Sequence, residues 1–475
     1  MKKLLALLMT LILCVGCLSA CGGQKTNAGA KLNADADDVT IEVWTNEAGA
    51  QAHWEKLVGE WNATTGDEKN IFIKWTTTTD NTVYDAAEQN GTLPHIMKPT
   101  DVQLKKMILN NSAMPIDELP GGAEYVKEYN LAGIDGLNIK DGKTYNLRTT
   151  INTAGLIINE DLFVKAGIVD ENGKAKAPET MSELREAAKK ITDPKTQVYG
   201  YAFPGKFALA YTVTPQVSHS FGKEGTKEAM SYVDLDKQEV VYDGYKDAHQ
   251  WLFDLKNDGS LFPGAETLDN DTARAYFSQG MVGMFPAISW DVEVFNNQFP
   301  ANFNWKVVKF PVLDSHEDTG NYYNALSGGM SIGRNAAEKN PEETMEVYKF
   351  ITSVETRAAR FEEGISLSAK NDVMEVIDKE KVDPNFFEFS KFVDGTRPYA
   401  QSESYVNEGE TWANLFMKAW IGDITLDEAI EIYEKDSTAS LRKAIKEGKY
   451  DVERQKRVYK YLQGDKSQDV TSKNW

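Results

Sequence analysis

VTIEVWTNE (residues 39–47) opens the stretch that decides the fold. Its first six residues alternate and are rich in β-branched side chains, which predicts a strand, and Thr45-Asn46-Glu47 reads as a turn out of it. Apolar residues then follow helical spacing at Trp54, Leu57, Val58 and Trp61. A second strand is expected over residues 71–75, followed by a polar threonine run and a helix over 83–89 that Gly91 ends. His95-Ile96-Met97 reads as a third, short strand, and Lys98-Pro99-Thr100-Asp101 leads into another helix from Val102. Such β-α-β-α-β alternation predicts a parallel sheet, whose ligands collect at the carboxyl ends of its strands. Asn46, Glu47 and Asp101 lie just past such ends.

Further along, residues 137–147 read as a small hairpin turning at Asp141-Gly142, and 149–158 as a strand leaving for a second region. Thr180 with Glu183, and Thr425 with Glu428, have capping-box spacing ahead of helices over 181–191 and 429–445. Residues 233–242, broken at Asp236-Lys237, read as a second hairpin, and Asn340-Pro341 caps a helix from Glu342.

YFSQGMVGMFPAISW (residues 276–290) follows a helix that stops at Gly280. A short apolar run over 281–285 and a loop then bring Trp290 beside Asp291. An indole next to a carboxylate suits a polyhydroxylated ring: the indole covers its apolar C–H face and the carboxylate accepts its hydroxyls. The same pair could equally be a core tryptophan and a solvated aspartate, since tryptophan is mostly buried whatever its role. Trp44, Phe203, Tyr211, Tyr323 and Trp412 also fall at strand exits, loops or helix starts, where aromatics can line a cleft or anchor a loop.

The amino terminus, MKKLLALLMTLILCVGCLSACGG, has a lysine pair, then an apolar run over residues 4–15 too short to span a bilayer. Leu18-Ser19-Ala20-Cys21 resembles a bacterial lipoprotein signal, which implies cleavage after Ala20 and a lipid anchor on Cys21. Residues 21–38 have no large apolar side chain except Leu32 and are expected to be a mobile tether. The three cysteines, Cys14, Cys17 and Cys21, all lie in this region. The remainder is therefore without disulfides, thiol nucleophiles or thiolate metal sites, and its core alone must stabilise it. The formal net charge of −20 argues against nucleic acid and against a basic membrane-binding patch.

Enzymatic motifs are weak. Gly329-Met330-Ser331-Ile332-Gly333 spells GxSxG, but the serine sits inside an extended run, with the next helix expected only at Glu342. The spacing from Gly136 to Thr144 misses a phosphate loop by one residue, and its Asp-Gly turn explains it better. His53, His95, His219, His249 and His316 form no metal-binding pair, and Asp269-Asn270-Asp271 reads as a helix cap. No cofactor or metal is expected. Among 72 acidic residues no pair stands out for glycosidic cleavage.

Several pieces in order resemble the extracellular solute-binding proteins of bacterial ABC importers, the large sugar-binding family that includes maltose-binding protein. They are VTIEVW with Asn46-Glu47; Ile157-Ile158-Asn159-Glu160-Asp161-Leu162-Phe163; residues 177–191, similar to a P-x-T-W-x-E-L helix; residues 277–284 with Trp290; Gly328-Gly329 through Glu342; residues 364–369; and residues 425–429. Departures occur at Thr92-Leu93-Pro94-His95, at Gly364-Ile365-Ser366-Leu367, and at Thr180-Met181 where the family has Thr-Trp. The resemblance implies an α/β periplasmic-binding-protein-like fold, two α/β lobes joined by hinge crossovers with a ligand cleft between. A signal peptide would occupy residues 1–20, the tether 21–38, one lobe 39–148 plus 327–364, the other 149–326 plus 365–464, and a polar tail 465–475. Family ligand positions carry over to Asn46, Glu47, Asp101, Asn152, Trp290 and the helix start at Trp412, with a looser match at Phe203; Asp291 joins them as Trp290's neighbour. The implied protein is a monomeric, non-enzymatic lipoprotein on the outer face of the cytoplasmic membrane, passing a mono- or oligosaccharide to an ABC permease. A surface glycan hydrolase, or a same-fold receptor for a non-sugar solute, remains the alternative.

Overall fold

The expected first strand has two faces to bury, and the fold supplies a core for each. The computed structural model describes residues 30–78, 80, 82–130, 138–206, 233–241, 246–312, 314, 323–326, 329–392, 397–398 and 406–462. The strand Val39–Thr45 pairs in parallel with Ile71–Thr77 on one side and Ile96–Met97 on the other. Beyond Ile96–Met97 the sheet turns antiparallel, through Met330–Gly333 and then Ala113–Met114. Period-two alternation divides its side chains: Ile41, Val43 and Ile96 enter one core with Trp54, Val58 and Tyr348, while Met97 enters another with Tyr84, Leu104 and Met107. The parallel sheet read from the sequence is thus the parallel half of a mixed one.

A second sheet is organised around the ten-residue strand Thr150–Asn159, the expected crossing strand. It is paired antiparallel along its length by Val282–Ile288, Trp305–Val308, Tyr323–Leu326 and Leu367–Ser368. Leu156 and Ile158 face one core while Ile151 and Ile157 face another, so both sides of this sheet are covered. Pro286 is tolerated in Val282–Ile288 because that strand's pairing with Tyr199–Tyr201 extends no further than Met284. The helix Met181–Ile191 packs so closely that a Cβ at Gly200 would lie 2.2 Å from Ala188.

The chain passes between the sheets near residues 147–150, again between the strands Tyr323–Leu326 and Met330–Gly333, and in the segment 352–367. At Gly329 two crossing segments run together: a Cβ there would lie 2.1 Å from the Leu147 carbonyl oxygen. Ala358 and Phe361, on the helix Val354–Glu362, pack into the core of the second sheet, whereas Met345 and Ile351 pack into that of the first.

The two expected hairpins are present, with Asp141 and Gly142 both at positive φ and Val233–Asp234 pairing antiparallel with Glu239–Val240. Thr425 and Glu428 form a full capping box. At Thr180 the hydroxyl caps Glu183 N, but the Glu183 carboxylate reaches Glu179 N instead of completing the box. A short helix, Arg334–Ala337, follows Gly333 directly, ahead of the helix expected from Glu342. Ser331 is wholly buried within the strand, not raised on a turn, so GxSxG makes no nucleophile elbow. The segment expected to be a mobile tether is docked from residue 30 onward: Lys31 N donates to the Gly59 carbonyl and Lys31 Nζ pairs with Asp38 and Asp67, each at 2.9 Å. Cys21 and Tyr211 lie outside the described residues. No described helix is long and apolar enough to cross a membrane, and no described cluster of residues could hold a metal ion.

Candidate ligand-binding cleft

A cleft of about 740 Å³ opens where the first strand ends, between the two sheets. Asn46, Glu47, Gly49 and Lys98 line it from the first sheet, Thr150 and Asn152 from the crossing strand. Asn270, Arg274, Trp290, Glu293 and Gln298 line the opposite wall, with Arg360, Ile365 and Ser366 closing one end. At this size it can enclose a small to medium organic solute.

Local structure aims these groups. The buried strand Val282–Ile288 ends two residues before Trp290, which stands immediately ahead of the helix Asp291–Asn297. Trp290 is 40 % exposed, although its neighbours Ser289 and Asp291 are buried. A large indole left open to a cleft beside buried neighbours is available to stack on a ligand. The Asn46, Asn152 and Asn270 side chains also line the cleft, and amides can donate to and accept from hydroxyls.

Glu47 is at the centre of an ion network. Lys98 Nζ donates to its Oε1 at 2.5 Å, Arg360 NH2 to the same oxygen at 2.8 Å, and Trp54 Nε1 to Oε2 at 3.0 Å. Burial alone would push this carboxyl up, but the charges of Arg360 and Lys98 hold it well below the usual carboxylate range. Arg360 also lies over the Trp54 ring, 5.0 Å from its centroid. Glu47 is therefore ionised and fully engaged, which makes it a fixed anchor in the wall more than a free hydroxyl acceptor.

Asp291 does not face the cleft as expected. It is 4 % exposed; Arg274 Nε and NH2 donate to its Oδ1 at 2.9 and 2.5 Å, and Ile288 N to its Oδ2 at 2.7 Å. Burial pushes its carboxyl up, opposed by Arg274. Its role is to hold Arg274, which does line the cleft. Asp101 is likewise outside, paired with Arg148 at the start of the helix Asp101–Leu109. Phe203 is wholly buried against Trp420, and Trp412 is buried with its Nε1 on His249 Nε2 at 3.3 Å. Of the eight expected ligand residues, then, Asn46, Glu47, Asn152 and Trp290 are brought together. Lys98, Asn270, Arg274, Glu293, Gln298 and Arg360 join them without having been anticipated.

Residues 56–388 match the family described as bacterial extracellular solute-binding protein. The chain belongs to this family. Its sheets and the cleft between them are those of the periplasmic-binding-protein-like fold. A putative binding protein of Brucella abortus (strain 2308) is 24% identical over 226 residues, covering 46% of this chain and 49% of that protein. The chain therefore spans about half the length of the curated relatives it matches. Solved structures agree over more of it. RafE of Streptococcus pneumoniae, in its apo form, superposes with a TM-score of 0.63 at 18% identity, over 86% of this chain and 98% of RafE. A protein from a study of xylan utilization by Caldanaerobius polysaccharolyticus gives 0.62 at 21% identity, over 84% and 99%. The maltose/maltodextrin-binding domain MalE of Bdellovibrio bacteriovorus, bound to maltotriose, gives 0.61 at 15% identity, over 86% and 100%. At these identities the likenesses establish the fold.

Proposed function

We propose that this solute-binding protein captures a mono- or oligosaccharide in the cleft and presents it to the membrane subunits of an ABC importer. The observation that carries this reading is Trp290: a half-open indole among buried neighbours, facing asparagine amides across a cleft wide enough for a sugar. Raffinose-bound RafE and maltotriose-bound MalE share the fold, which supports the same ligand class here. Ligand bridging both walls favours the state in which they are close, and the crossings near Gly329 would be the hinge. The ligand-binding residues in this reading are Asn46, Asn152 and Trp290, joined by Lys98, Asn270, Arg274, Gln298 and Arg360, with Glu47 in the wall fixing Lys98 and Arg360. A diacylglyceryl group on Cys21 would hold a monomer at the outer face of the membrane.

No bond is broken in this mechanism. Glu47, with both oxygens committed to Lys98, Arg360 and Trp54, is poorly disposed to act as a glycosidase carboxylate. A thermal-shift screen against neutral and acidic mono- and oligosaccharides tests the proposal, because a ligand specific to the folded state raises its melting temperature by mass action. The expected result is a saturable shift with at least one sugar, recovered unchanged after incubation. No shift with any sugar, or turnover of the bound one, would overturn it.

A further inference from the structure

The end of the cleft around Glu47 carries more positive than negative charge. Lys98 and Arg360 share a single carboxylate, Glu47, and neither has another ion pair among the described residues. Both are held away from bulk water: the Lys98 side chain is 13 % exposed and that of Arg360 8 %. The Arg360 Nε is buried without a partner, and the guanidinium is fixed between Glu47 and the Trp54 ring. Arg274, the third cation of the cleft, is by contrast saturated by Asp291 and Asp271. Glu293, the other carboxylate of the lining, stands on the opposite wall and takes its donors from Asn297 and Gln298 at 3.3 and 3.5 Å. The cleft is therefore polarised, with one positive charge in excess beside Glu47 and a carboxylate facing it from the second body.

A neutral sugar would fill the space between that excess charge and Glu293 and offer the cations no direct counter-ion once water is expelled, which costs free energy. A carboxylate placed there would accept charge-assisted hydrogen bonds from a preorganised guanidinium and an ammonium. We infer that, within the carbohydrate reading on which this rests, the solute is an acidic sugar whose carboxylate pairs with Lys98 and Arg360 while its ring lies against Trp290. The chain's overall negative charge does not oppose this, since exposed charges more than about 8 Å away are largely screened at physiological salt.

Calorimetric titration of the full chain with matched probes tests it: galacturonate against galactose, and trigalacturonate against galactotriose, with sodium acetate as an anion control. The expected result is at least tenfold tighter binding of the acidic member, weakening as salt rises from 50 to 500 mM. Lys98→Gln should reduce the acidic-to-neutral preference at least fivefold, and Lys98→Arg should restore most of it; both are milder than removing buried Arg360. Neutral sugars binding as tightly as their acids, with the ratio unmoved by Lys98→Gln, would overturn this inference and leave the carbohydrate reading standing. Acetate competing as well as the uronates would overturn the assignment to a sugar acid. Binding of no sugar of either kind would overturn both.

Discussion

Arg360 NH2 donates to Glu47 Oε1 at 2.8 Å across 313 residues of sequence, joining the helix Val354–Glu362 to the turn after the first strand. The helix packs into the core of the second sheet through Ala358 and Phe361, so this contact ties the two bodies together at the end of the cleft. Removing one member of such a buried pair exposes the other to an unfavourable site. Arg360→Met is expected to lower unfolding free energy by about 3 kcal/mol, measured by urea denaturation without ligand.

The same contact sets an acid limb. Glu47 has its folded-state pKa depressed, so its stabilisation is fully present above its ordinary value of 4.5 and is lost as pH falls below that. Wild-type stability should therefore decline as pH drops below about 5, and Arg360→Met should flatten that decline. An unchanged slope in the variant would show that other carboxylates govern it.

Asp291, one residue from the indole, should behave in the opposite way to Trp290. Asp291→Ala leaves the Arg274 guanidinium and the Ile288 amide without their partner and is expected to cost about 3 kcal/mol in the unliganded protein. A change of under ~0.5 kcal/mol, the size usual for an exposed site, would show that the carboxylate is not the buried support described above.

Gly49 faces the second body across the cleft: a Cβ built on it would lie 3.2 Å from Glu293 Oε2. It is not at positive φ, so a side chain brings no backbone strain. Gly49→Leu should act as a wedge, weakening ligand at least tenfold while leaving unliganded stability within about 1 kcal/mol. Undiminished affinity would mean that the walls need not approach here.

Trp412 is buried among His249, Phe416 and Tyr433. Trp412→Ala is expected to cost about 3–5 kcal/mol through the cavity it leaves, with affinity unchanged in the fraction that still folds. Stability retained together with lost affinity would return this ring to the cleft.

What could be read from the sequence was local. Strand alternation at residues 39–45, the crossing strand, both hairpins and the Asp269 cap at Thr272 N depend on neighbours in the chain, and the structure shows each. Asn46, Glu47 and Trp290 follow strand ends that the sequence shows, Asn152 came only from the family resemblance, and all four line one cleft. Phe203 and Trp412 misled for a physical reason: an aromatic at an element's edge can turn inward as readily as outward, and nothing nearby in the chain decides which. Lys98 and Arg360 were missed because their shared partner, Glu47, is 51 and 313 residues away in the chain. One signal was available: Arg357 and Arg360 stand three apart on a helix, flanking Ala358 and Phe361, and both are buried. Two arginines on the apolar side of a helix require carboxylates from elsewhere in the fold.

The most direct test of sugar capture is titration of wild type and Trp290→Ala with the best sugar from the thermal-shift screen, alongside unliganded melting curves. A loss of affinity of more than tenfold, about 1.4 kcal/mol or more, with an unliganded melting temperature close to wild type is the expected outcome. Full affinity with a collapsed melting temperature would contradict it, placing the Trp290 ring in the core instead of against a ligand.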